Sequence, residues 1–117
     1  MDRLAVAREL SAVARLIALD NIVLDVLAKA GFRKVDFERS DGATKRWYKY
    51  SGSGKPGEVA AKAMKEAGLI VKPSSIGGSV DWFGTNFTFS QQGSNGLFLA
   101  QYRPGEKGEQ YRHGLDV

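Results

Sequence analysis

The sequence predicts one α+β domain of element order α-α-β-β-α-β-β-β, with a mostly antiparallel sheet and its helices packed on one face. Three observations carry that expectation. Apolar residues recur at steps of three and four over the first thirty positions and again over 56–67, the helical period. Around 35–50 and 79–103 they alternate at steps of two, the strand period. Short polar clusters join the alternating runs, so neighbouring strands should pair as hairpins.

Residues 2–19 form the first expected helix, with Val6, Leu10, Val13 and Ile17 on one face and Arg8 and Arg15 on the other. That stripe is expected to be buried in the monomer; a homodimer seam is the alternative. Asp20 suits the N-cap of a second helix, its carboxylate accepting from free backbone N–H groups. Gly31 ends that helix in the left-handed conformation, and Phe32 folds back on Leu27. Ala67-Gly68-Leu69 repeats the joint, with Leu69 on Met64.

Val35 and Phe37 alternate with Asp36 and Glu38, a half-buried strand. Ser40-Asp41-Gly42-Ala43 supplies turn residues, and strand 44–50 returns. It places Lys45, Trp47 and Lys49 on one face and Arg46, Tyr48 and Tyr50 on the other, and neither face is plainly apolar. After loop 51–55, Pro56 suits the first position of a third helix and Glu58 its positive end. Val59, Ala60, Ala63, Met64 and Ala67 should face inward. Ile70-Val71 is a short strand ended by Pro73. Strands 79–90 and 97–103 then form a second hairpin, with Gly84 marking a bend and the rings of Phe87, Phe89, Phe98 and Tyr102 in the core. Residues 1–103 make one domain, and 104–117 are expected to be a flexible tail.

At 117 residues the chain is long enough to bury a core without covalent staples, and it has no cysteine for disulfides or thiolate metal sites. His113, the lone histidine, cannot build a metal centre by itself. No cofactor is expected. No run is apolar enough to span a bilayer, and Arg8, Glu9 and Arg15 interrupt any signal-peptide core, so a cytoplasmic protein is expected.

The overall charge of +4 is modest, but it is concentrated. Residues 41–72 hold seven basic against three acidic side chains, a net +4. Within them Lys45, Arg46, Trp47, Tyr48, Lys49 and Tyr50 interleave cations with rings, as a surface that neutralises phosphates and stacks on bases requires. Lys55 and Lys62, on the helix that follows, extend the candidate nucleic-acid-binding set. Gly52-Ser53-Gly54-Lys55-Pro56-Gly57 is not a nucleotide-binding loop: position 49 lacks the required glycine, and Pro56 stands where Ser or Thr is needed. Asp36, Glu38, Asp41 and Asp81 are scattered carboxylates, the first two suited to cross-strand pairs with Lys45 or Lys49.

Segment 20–69, with its Ala30-Gly31-Phe32 and Ala67-Gly68-Leu69 joints around a hairpin and Lys55-Pro56-Gly57 opening a helix, resembles part of the HicA-type toxins, small RNA-cleaving domains of double-stranded-RNA-binding-like fold. The likeness covers under half the chain. The family's catalytic histidine has no counterpart, since Thr44-Lys45-Arg46-Trp47 occupies that region, and a third strand before the last helix is missing; the resemblance implies RNA binding without cleavage. The residues themselves point to a small module that binds RNA or DNA through strand 44–50 and the start of the third helix; an enzyme is left with scattered carboxylates and no assembled site. A protein-interaction or inhibitory module, of the kind found in phages and mobile elements, is the alternative.

Overall fold

The computed structural model describes residues 2–40, 43–83 and 85–102. Among them, three helices and six strands run in the order α1 (Arg3–Ala7), α2 (Ala12–Lys29), β1 (Phe32–Ser40), β2 (Ala43–Tyr50), α3 (Pro56–Glu66), β3 (Val71–Ser74), β4 (Gly77–Trp82), β5 (Thr85–Gln92) and β6 (Gly96–Tyr102). This is the α+β class the sequence predicts, with one strand more. The strands form one sheet in the order β1-β2-β6-β5-β4-β3, every neighbouring pair antiparallel. The expected tail 104–117 and His113 lie outside the described residues.

The helical boundary is not where Asp20 suggested. Ser11 caps α2, its hydroxyl accepting from the Ala14 N–H at 3.3 Å, and the helix passes through Asp20 to Lys29. The break falls at 8–11, where the Arg15 guanidinium donates to the carbonyls of Arg8 and Leu10 and so satisfies the open end of α1. The expected apolar stripe is displaced as well. Val6, Leu10 and Ile17 are roughly half exposed, and the core instead takes Ala7, Leu19, Ile22, Val23 and Leu27.

Both glycine joints form. Gly68 adopts φ +99°, its N–H donates to the Lys65 carbonyl, and the Leu69 N–H reaches back to Met64 at 3.1 Å, a complete Schellman ending. Gly31 adopts φ +102° and donates to Ala28. The extra strand comes from the run 79–90, which reverses after Trp82 and does not merely bend. Phe83 sits in the turn at φ +50°, exposed, while Trp82 is buried. Pro73 does not end β3 but lies inside it, at an outer strand of the sheet, where a missing N–H costs no ladder bond.

Residues opposite one another on neighbouring strands share a face, so three polar links place the helices. Asp20 on α2 pairs with Arg46, the Leu16 carbonyl accepts from Gln101 Nε2 at 3.3 Å, and the Gly57 N–H on α3 donates to Gln91 Oε1 at 3.2 Å. By register Arg46 stands opposite Leu99, Gln101 opposite Phe87 and Gln91 opposite Leu97, all on one side. The core lies there, with Leu19, Val23, Leu27, Ala60 and Met64 against Val80, Phe87, Phe89, Leu97 and Leu99. No described helix covers the other face.

Tyr48 belongs to the covered side. Burial pushes its phenol above the usual value of 10.0, with the Arg46 cation pulling partly back. A folded-state value above the unfolded one means that this contribution to stability is complete below pH 10 and lost as pH rises past it. Tyr48→Phe is therefore expected to move the alkaline unfolding midpoint, followed by circular dichroism, to higher pH.

Candidate nucleic-acid interface

The face that no described helix covers is built in rows that cross the strands, with Ala100 and Asn86 buried within it. One row carries Trp47 on β2, Phe98 on β6, Ser90 on β5 and Gly77 on β4. The next carries Glu38, Lys45, Ala100, Thr88 and Ser79. Arg33 and Lys49 stand on the other flank. Trp47 and Phe98 are both half-buried, and their rings pack against each other with centroids 4.9 Å apart and planes tilted by 49°. Lys45 and Lys49 lie two residues to either side of Trp47, about 7 Å along the strand.

The candidate residues thus separate. Lys45, Trp47 and Lys49 stand together on the open face. Arg46 and Tyr48, 3% and 2% exposed, are sealed on the covered face and serve the core. Tyr50, also turned to that side, packs on Phe32 with ring centroids 4.8 Å apart and is half-buried. Strand 44–50 does have an interior face; its burial was hidden because the interior side carries an arginine and two tyrosines.

Lys55 caps α3 by its backbone alone and is exposed. Lys62 is exposed on α3, behind the sheet from Trp47, and approaches Glu66 at 3.9 Å. The start of α3 is poorly placed to hold a phosphate. Pro56 has no N–H, and that of Gly57 is already given to Gln91. Lys55 and Lys62 therefore do not join the Trp47 face.

Sequence reasoning missed Phe98, expected in the core with Phe87 and Phe89. Its neighbours Leu97 and Leu99 are fully buried, so the apolar run 97–100 supplies both faces and its alternation is unreadable. It also missed the bulge in β1. Lys34 pairs with Tyr48 and Asp36 with Trp47, leaving Val35 as the extra residue, exposed beside Trp47. Glu38 does stand opposite Lys45 as expected, but no ion pair closes between them.

Among the described residues no three His, Cys, Asp or Glu side chains are grouped to hold a metal ion, and no helix is long and apolar enough to cross a membrane. Compared with protein families, with curated proteins and with solved structures, the chain matches none.

Proposed function

We propose that this protein binds nucleic acid on the open face of its sheet, with Trp47 and Phe98 stacking on bases and Lys45 and Lys49 meeting the flanking phosphates. The observation that supports this most is the pairing of two half-buried rings on adjacent strands, bracketed along β2 by two lysines. Base–aromatic stacking contributes about 1–3 kcal/mol per base, and each phosphate neutralised adds a salt-dependent increment. The small polar side chains of Ser90, Thr88 and Ser79 leave the ground beyond the rings low and rich in hydrogen-bonding groups.

Fluorescence anisotropy with short RNA and DNA at two ionic strengths tests the reading. Affinity should fall as salt rises, with a log–log slope near −1.4 for two phosphate contacts on a single strand. Lys45→Glu combined with Lys49→Glu should abolish binding without altering the melting temperature, because neither lysine enters an ion pair among the described residues. Absence of binding at low salt would reject it.

The alternative, a protein-interaction module, draws on the mixed charge of the same face, where exposed Asp36 and Glu38 border the cations. Partners recovered from nuclease-treated cells and lost with Trp47→Ala would favour it.

A further inference from the structure

We infer that the open face takes a single strand and that Asp36 reads the base stacked on Trp47, favouring bases with amino donors and guanine first. The inference rests on the nucleic-acid reading above. Aromatic rings on a sheet face can stack only on bases whose own faces are free, and duplex bases are already stacked on each other.

The bulge in β1 sets the edge of that base against a carboxylate. Asp36 is the register partner of Trp47, projects to the same face and is exposed. Its Oδ1 accepts from the Phe37 N–H at 2.8 Å, which fixes the side chain, and no described cation closes on it. A carboxylate only accepts, and its remaining lone pairs are open to a ligand. Guanine presents an imino and an amino N–H side by side, a match for two carboxylate lone pairs. Adenine and cytosine offer one amino group. Uracil and thymine flank a single N–H with carbonyl oxygens, which a carboxylate repels. The acids Asp36 and Glu38 also repel phosphates, so the β1 side meets base edges while Lys45 and Lys49 draw the backbone.

The test uses labelled seven-residue oligouridylates whose central base is U, C, A or G, and a blunt duplex of the G-containing strand, with anisotropy as the readout. The single strand with G should bind about tenfold more tightly than all-U, the lower part of the range for a two-bond base contact. The duplex should bind more weakly than either. Asp36→Asn, at an exposed position where the side-chain oxygen can still accept from Phe37, should keep its melting temperature, bind all-U more tightly because the charge that repels uracil's carbonyls and the phosphates is gone, and lose the preference for G. Equal affinity for the four strands, a duplex bound as tightly, or a preference that survives in Asp36→Asn would each overturn the inference while leaving the platform intact. No binding by any oligonucleotide would overturn both.

Discussion

Asp20→Ala is expected to cost the fold roughly 2–3 kcal/mol, and the double substitution Asp20→Ala with Arg46→Met to recover most of it. The Arg46 guanidinium is 3% exposed beneath α2, with the Asp20 carboxylate against it. Taking a guanidinium from water costs several kcal/mol, offset here by one acid. Removing the acid leaves the cation buried and uncompensated, an effect of about 3–5 kcal/mol in a sealed pair. Asp20 keeps a side-chain exposure of 36%, so water can replace part of its role and the lower figure applies. Methionine at position 46 removes the charge and keeps an unbranched stem at the position opposite Leu99. Thermal melts should show a drop of about 10 °C for the single variant. An unchanged melting temperature would mean that the pair does not anchor α2 to β2.

Trp47→Ala is expected to weaken binding of a single-stranded oligonucleotide by about 5–150-fold, the loss of one stacked base. Trp47→Phe should keep most of the affinity, since a smaller ring still offers a stacking face. Tyr48→Phe, one residue along the same strand, should leave affinity unchanged because its side chain points to the core. Strand 44–50 thus gives a control within itself: alternate positions report on opposite sides of the sheet. If Trp47→Ala and Tyr48→Phe weaken binding equally, the assignment of faces to functions is wrong.

The fold was legible where one residue type answers to one local demand. Gly31 and Gly68 announced their left-handed joints because few other residues accept that conformation, and Pro56 announced a helix start. Boundaries failed where a side chain serves a distant partner. Asp20 looks like a cap in sequence, yet its carboxylate is taken by Arg46 from a strand that follows 23 residues later. Ser11, the cap that is used, sits within a run of apolar steps that disguises the break. The second hairpin conceals a turn because Phe83, where asparagine or glycine would be usual, holds a positive φ.

Half of the candidate site was visible in the same way. Lys45, Trp47 and Lys49 alternate correctly, and the structure keeps them on one face. Arg46 and Tyr48 were added because composition cannot distinguish a buried cation from a solvated one. Phe98 and Asp36 reach Trp47 only through strand pairing, β6 returning after fifty residues to lie beside β2. No local pattern encodes that neighbour.

The most direct measurement is the emission of Trp47 in a Trp82→Phe background, followed while a single-stranded RNA is added at low salt. Stacking of a base on the half-buried ring should quench the emission in step with binding, and added salt should restore it. Saturable binding with no change in Trp47 emission would place the ligand elsewhere and contradict the assignment of the open face.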